Sequence, residues 1–176
     1  MEGALDTERL RLYPLTEADL DDLVELDADP DVRRMIDPLG LTIPEDRDER
    51  RVYEWERHVS AGGFYGARER VGNAFVGCFQ LEPSPERPDE VELGYRLRRH
   101  AWGLGYATEG SVALVQHALE ILGYRRVFAH TLLDNPASIR VLQKAGLVEA
   151  GPWTYRDMPG VEYARERDHH GAPAAR

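Results

Sequence analysis

The chain has 176 residues, 32 acidic against 22 basic, a formal charge of −10 and a single cysteine, Cys78. That length suits one ordinary domain with a sizeable core. The negative balance argues against non-specific nucleic-acid binding, which needs basic surface to displace counterions; no apolar run is long enough to span a bilayer; and one cysteine allows neither a disulfide framework nor a zinc cluster.

In chain order, Arg9-Leu10-Arg11-Leu12 alternates with period two and reads as a first strand. Thr16 is placed to cap a helix whose apolar stripe is Leu20, Leu23 and Val24, with Asp27 ending it. A short helical piece follows Asp29-Pro30, then a loop over 40–44. A helix over 45–61 is stopped by Gly62-Gly63. Two strands, Phe64 to Arg68 and Phe75 to Leu81, flank a turn at 70–73. Pro83, Pro85 and Pro88 make a loop. A strand over Val91 to Leu97, a glycine turn, a long helix from about Thr108 to Leu122 and a strand over Arg126 to Leu132 come next. Asn135 to Leu147 is a further helix, and Leu147 to Tyr155 with Gly160 to Arg167 closes the chain as an antiparallel pair. Residues 1–168 are expected to form the domain and 169–176 a disordered tail. The acidic runs Glu17 to Asp22 and Glu45 to Glu49 read as solvated helix faces, and Cys78 reads as a small buried hydrophobe.

Two segments carry chemistry. Trp102-Gly103-Leu104-Gly105-Tyr106-Ala107-Thr108-Glu109 lies between a strand and a helix. Its glycines admit close approach of a ligand. The helix start offers unpartnered N–H groups and positive dipole potential, the conditions for holding a pyrophosphate. In the second segment Asn135 fits an N-cap, Pro136 the first helical position and Gly146 the position after the helix, with Lys144 in the last turn.

Together these segments resemble the GCN5-related N-acetyltransferases (GNAT), in particular the branch of ribosomal-protein N-terminal acetyltransferases. The strand Val91-Glu92-Leu93-Gly94-Tyr95-Arg96-Leu97 before the turn and the phrase Thr7 to Leu12 followed by Pro14-Leu15-Thr16 are similar to that family too, over about residues 7 to 165. The resemblance implies an α/β (α+β) GNAT fold. Its single, mixed, mostly antiparallel sheet has about seven strands flanked by helices, in the order β-α-α-β-β-β-α-β-α-β-β. It implies a parallel pair, the Val91 and Val127 strands, that splays apart to admit the pantetheine arm. Acetyl-CoA is the implied co-substrate, with no metal, held by Leu97, Arg98, Trp102, Gly103, Leu104, Gly105, Tyr106, Ala107, Thr108, Asn135 and Ser138. A backbone N–H at Leu97 or just after Tyr95 is the implied donor to the thioester carbonyl. The expected acceptor is a small-molecule or peptide amine. Neither nucleic acid nor membrane is expected as a partner, the expected location is cytoplasmic, and a homodimer is left open.

Acetyl transfer needs a neutral amine, a polarised carbonyl and a protonated leaving thiolate. Glu92 is the candidate base, directly or through water; the other reading is a structural carboxylate paired with Arg9 or Arg11. Two positions depart from the family pattern. Leu142 stands where many relatives carry a tyrosine acid, which leaves Ser138 or Asn135 to serve the sulfur or the pantetheine amide. Trp102 stands at a motif position that is usually basic or amide, which leaves backbone N–H groups and Arg98 for the diphosphate. Tyr155, Tyr163 and Glu162 are candidates for the acceptor pocket. The competing expectation is a CoA-binding module without catalysis on the same fold.

Overall fold

The computed structural model describes residues 3–168; the expected disordered tail lies outside them. Eight strands form one sheet in the order β1-β2-β3-β4-β5-β6-β8-β7. They are β1 (Leu5–Asp6), β2 (Leu10–Pro14), β3 (Phe64–Glu69), β4 (Phe75–Pro83), β5 (Glu90–Leu97), β6 (Arg126–Leu132), β7 (Val148–Tyr155) and β8 (Met158–Glu166). Only β5 and β6 are parallel. The strand beyond the expected seven is the two-residue β1, too short for a period-two pattern, which pairs Leu5 with Leu12 and Asp6 with Arg11.

Five helices cover the sheet: α1 (Leu20–Ala28), α2 (Pro30–Ile36), α3 (Arg47–Glu54), α4 (Tyr106–Gln116) and α5 (Pro136–Lys144). α3 and α4 each run on into a wider turn, to Ser60 and Ile121. Three helices separate β2 from β3, the three segments read from the sequence, where the order implied by the family resemblance has two. Asp46 caps α3 by accepting from the N–H groups of Asp48 and Glu49. α4 opens at Tyr106, two residues earlier than its apolar pattern suggests, because Gly105 at φ +84° ends the turn.

The sheet divides two cores. Phe79, Leu81, Val91, Leu93, Leu97, Val127 and Ala129 pack against Leu114, Val115 and Ala118 of α4 and its extension and Leu142 of α5. On the opposite face Phe64, Phe75 and Cys78 pack against Leu23, Leu26 and Val32 of α1 and α2. Alternation along β5 thus sends Val91, Leu93, Tyr95 and Leu97 toward α4–α5, and Glu92, Gly94 and Arg96 toward α1–α3.

The first acidic run is not merely solvated. Asp19 is buried and accepts from the Tyr13 hydroxyl at 2.7 Å, and Arg68 bonds both Asp19 and Asp22. Periodicity cannot reveal such partners, because Arg68 lies more than forty residues away.

α4 approaches β4 through Gly110. A Cβ there would lie 2.3 Å from Phe79 Cζ, and Phe79 is fully buried. Gly110→Ala gains helix propensity of about 1 kcal/mol, yet the ring has no room to yield. The net effect is expected to be destabilising by about 1–3 kcal/mol, a fall in Tm of roughly 2–4 °C per kcal/mol for a chain of this size. A thermal melt showing a raised Tm would refute this packing.

Candidate active site

The parallel pairing of β5 with β6 is short. Its register runs through Glu90–Arg126, Val91–Val127 and Glu92–Phe128 and stops there. Both strands continue: β5 stays paired with β4 to Leu97, and β6 with β8 to Leu132. Beyond Glu92 the two strands diverge, and a cleft of about 1070 Å³ passes through the opening.

The Arg98 N–H donates to Val76 O on β4 at 2.9 Å. In an antiparallel ladder the backbone groups of successive residues alternate in direction. Even-numbered residues of β5 therefore bond β4, and the N–H groups of Leu93, Tyr95 and Leu97 are directed into the opening. Of the two donors named from sequence, Leu97 has this orientation and Arg96, just after Tyr95, does not. The Leu97 carbonyl accepts from the Trp102 indole N–H at 2.7 Å, which fastens the glycine turn to the end of β5.

The first intrahelical bond of α4 runs from the Glu109 N–H to Gly105 O. The N–H groups of Tyr106, Ala107 and Thr108 accordingly have no partner within the helix and carry the positive end of its dipole. Gly103, Gly105, Ala107 and Thr108 line the cleft. Glu109 holds this turn against the first strands, accepting from the Thr7 hydroxyl (2.6 Å), the Arg9 N–H (2.7 Å) and the Arg9 guanidinium (2.7 Å). Burial pushes its carboxyl up, but these donors together hold it below the ordinary range. Arg9 also donates to Leu104 O and lies over the Tyr106 ring, so a cation stands beside the turn.

The side chains of three residues expected at the diphosphate are turned elsewhere, although the Tyr106 N–H stays free at the start of α4. The Arg98 guanidinium bonds Asp22 and Glu25 of α1 and does not line the cleft. The Tyr106 hydroxyl donates to Glu69 at 2.7 Å, and the Leu104 side chain is exposed outside the cleft. For Arg98 and Tyr106 a partner distant in sequence claims the side chain.

Across the cleft, the Asn135 side chain accepts from the Ser138 N–H at 3.1 Å, the cap expected from sequence. Leu142 is 1 % exposed and belongs to the core. A phenol nevertheless reaches the cleft: the Tyr95 hydroxyl donates to Ser138 Oγ at 3.1 Å. Burial raises its pKa, partly offset by Ser138, so the group keeps its proton at neutral pH. Strand alternation placed Tyr95 on the α4–α5 face, but only the fold brings it to α5.

On the other face, Glu92 meets neither Arg9 nor Arg11; the latter pairs with Asp6. Its partner is His130 of β6, with Nδ1 3.1 Å from Glu92 Oε1. His130 Nε2 is 3.1 Å from Glu162 Oε2, and Arg126 donates to Glu162 Oε1 at 2.6 Å. Burial raises the Glu162 carboxyl, and Arg126 and His130 outweigh it, leaving the group lowered. Trp153 stacks on His130 at 4.5 Å between ring centroids, and Tyr155 follows Trp153 at 6.0 Å. Trp153 and Tyr155 line the cleft; Tyr163 is buried in the core. His130 carried no motif; it lies two residues beyond Phe128, the residue set opposite Glu92, and only the fold brings the two side chains together.

Deeper on this face, Arg96 is 9 % exposed between Asp27 and Glu54, at 2.7 and 3.2 Å. Desolvation pushes the Asp27 carboxyl up to about 6 against the pull of Arg96. Desolvation and Arg96 push His58 down to about 2, so this ring is neutral. The Cys78 thiol, buried beside them, is pushed up to about 12. Among the described residues no group of His, Cys, Asp and Glu side chains forms a metal site, and no helix is long and apolar enough to cross a membrane.

A domain model described as "Acetyltransferase (GNAT) domain" matches residues 9–148. The chain belongs to the GNAT acetyltransferase family. It is 32 % identical over 178 residues to the FsC-acetyl coenzyme A-N(2)-transacetylase of Aspergillus fumigatus, covering 94 % of this chain and 75 % of that protein. Among solved structures, a GNAT-family acetyltransferase from Bacillus anthracis superposes with a TM-score of 0.80 at 20 % identity, covering 93 % of this chain and 98 % of that one. Spermidine N-acetyltransferase from Vibrio cholerae, in complex with CoA and spermine, gives 0.73 at 15 % identity, with coverage of 90 % and 95 %. These two likenesses establish the shared fold, an open mixed sheet with one parallel pair.

Two outcomes test this site. Asn135→Asp should leave Tm nearly unchanged, since aspartate caps as well, whereas Asn135→Ala should cost about 0.5–2 kcal/mol; equal melts for all three proteins would remove the cap. Cys78 should resist a thiol reagent at pH 8 while the protein is folded and react fully in denaturant, because the thiolate is the reactive form. Rapid labelling of the native protein would refute its burial.

Proposed function

We propose that this protein is an acetyl-CoA-dependent N-acetyltransferase in which a primary amine attacks the thioester directly. The observation that carries the reading is the opening between β5 and β6, which joins two chemically different faces. On the α4–α5 side lie the glycine turn with its free N–H groups, and Tyr95 with Ser138. On the α1–α3 side lie Glu92 and the aromatic wall of Trp153 and Tyr155.

In this reading the diphosphate rests on the N–H groups at the start of α4, beside Gly103 and Gly105. The pantetheine arm enters between α4 and α5, past Asn135 and Ser138, and the acetyl group reaches the opening. The Leu97 N–H polarises its carbonyl, a fixed dipole worth about 3 kcal/mol on a developing oxyanion. Glu92 takes the proton from the amine on one side. On the other, the thiolate leaves with the electron pair of its C–S bond and receives a proton from Tyr95, with Ser138 orienting the phenol. Tyr95 thus fills the role that Leu142 cannot.

The pairing of the 102–109 and 135–147 segments favours the branch of ribosomal-protein N-terminal acetyltransferases. The relative at 32 % identity is named for N(2) transfer from acetyl coenzyme A, which supports a nitrogen acceptor without favouring that branch. The acidic balance of the chain favours a cationic acceptor, since a negative field concentrates ammonium ions near it.

The reading is tested by screening peptides with free N-termini, polyamines and other small amines for release of CoA thiol. With an active amine, Glu92→Gln should lower kcat/KM by about 10²–10⁴ and shift or abolish the acidic limb of the pH profile, with acetyl-CoA affinity nearly unchanged. Tyr95→Phe should lower kcat with little change in either KM. Tight CoA binding without thiol release by any amine would instead leave a CoA-binding module.

A further inference from the structure

We propose that Glu92, His130 and Glu162 form a proton relay, and that the acceptor is a strongly basic alkyl amine arriving as its ammonium ion. The inference rests on the acetyltransferase reading above and names its substrate class.

The argument begins with the two nitrogens of His130. A neutral imidazole has one N–H donor and one lone pair. Both nitrogens of His130 face a carboxylate oxygen, each at 3.1 Å. A neutral ring can therefore satisfy either Glu92 or Glu162 and must turn a lone pair toward the other. The unit has a place for one more proton, and the proton can enter at either end. The ring cannot escape by rotation, because Trp153 stacks on it nearly parallel, 12° between planes, and Phe128 meets it edge-on.

The two ends differ. Glu92 stands where the parallel pairing stops and lines the cleft. Glu162 lies on β8, away from the opening, fixed by Arg126 at 2.6 Å, with an Arg87 nitrogen 3.7 Å from its other oxygen. Glu90 lies behind Arg126 as its second partner. These are the charged groups around the ring: Glu92 from β5, Glu162 from β8, Arg126 from β6 and Arg87 from the loop before β5. The two arginines favour ionised Glu162, so a proton reaching it passes readily to water. The unit thus runs from a carboxylate that lines the cleft to one that does not line it and keeps partial exposure to water.

Such a path serves an acceptor with a proton to lose. An alkyl amine with a pKa near 10.4 is neutral in only about one molecule in 10³ at pH 7. The overall balance is ammonium plus acetyl-CoA giving amide, CoA thiol and one proton. The ammonium passes its first proton to Glu92; His130 accepts at Nδ1 and releases from Nε2 to Glu162, and Glu162 releases to water. The amine lone pair then forms the C–N bond as the C–S bond breaks. The second proton of the nitrogen passes to Glu92, which lines the cleft and releases it to water there, and the thiolate gains one from Tyr95, which is reprotonated from the medium, so that two protons leave and one returns. A weakly basic amine, already neutral, has no first proton to export.

The test uses the full chain, acetyl-CoA and two acceptors of matched shape. One is the best alkyl amine from the thiol-release screen. The other is its fluorinated analogue, whose nitrogen is uncharged at the assay pH. His130→Phe keeps the stacking on Trp153 and removes the proton path. It should lower kcat/KM by about 10²-fold for the alkyl amine, the low end of general-base effects, and by less than about 5-fold for the analogue. The alkyl-amine loss should shrink as pH rises and free amine accumulates. Glu162→Gln should give the same contrast at smaller size, and it guards against a packing defect in His130→Phe. An equal penalty for both acceptors, or none, overturns the relay while leaving acetyl transfer to amines intact. Silence of the wild-type chain toward every amine overturns both.

Discussion

The site depends on one interruption: β5 and β6 pair over three residues and then part while each remains bonded to its outer neighbour. A parallel pair that stayed closed would bury its backbone groups in a ladder and leave no passage between the faces. Because β4 and β8 hold the outer edges, the strands diverge without loss of order, and the N–H groups of Leu93, Tyr95 and Leu97 are left facing the opening. The opening exposes polar backbone inside the domain without a compensating strand. That is tolerable only where a ligand or water completes it.

The surrounding side chains hold this geometry rather than fill it. Trp102 ties the glycine turn to Leu97, Glu109 ties the first turn of α4 to Thr7 and Arg9, and Asn135 caps α5. On the opposite face, Arg96 is clamped between Asp27 of α1 and Glu54 of α3, which draws two helices onto β5 next to the gap. A buried ion group of this kind adds little net stability, since desolvation offsets the attraction, but each charge must find its partner, so the helices have one position. The pKa shifts follow the same logic: His58 is driven neutral by burial beside Arg96, and Cys78 is kept as the thiol.

The two-faced arrangement also separates a phenol, Tyr95, from a carboxylate, Glu92. Alternation along β5 sends Tyr95 to one side and Glu92 to the other, three residues apart in sequence and on opposite faces of the sheet. In the proposed reading, a proton donor and a proton acceptor placed that way do not neutralise each other, and the passage between them lets the reacting groups meet both.

Much of this was legible in the amino-acid order. Local rules were enough for the glycine turn before α4, the Asn135 cap, the Pro136 start, the Gly146 stop and the alternation of β5, because each depends on neighbours within four residues. The match to a family at 102–109 and 135–147 then supplied the strand order. What the sequence could not decide was which distant groups meet. Arg98 was free to face a phosphate until α1 presented Asp22 and Glu25. Glu92 had Arg9 and Arg11 as plausible partners until the fold set it beside His130, and Tyr95, on another element, brings to the cleft a phenol that Leu142 does not. Charge pairing acts over a few ångströms and ignores separation along the chain, so partners 38 or 76 residues apart leave no local trace. The elements were set by local chemistry, and the site by the tertiary packing that brought them together.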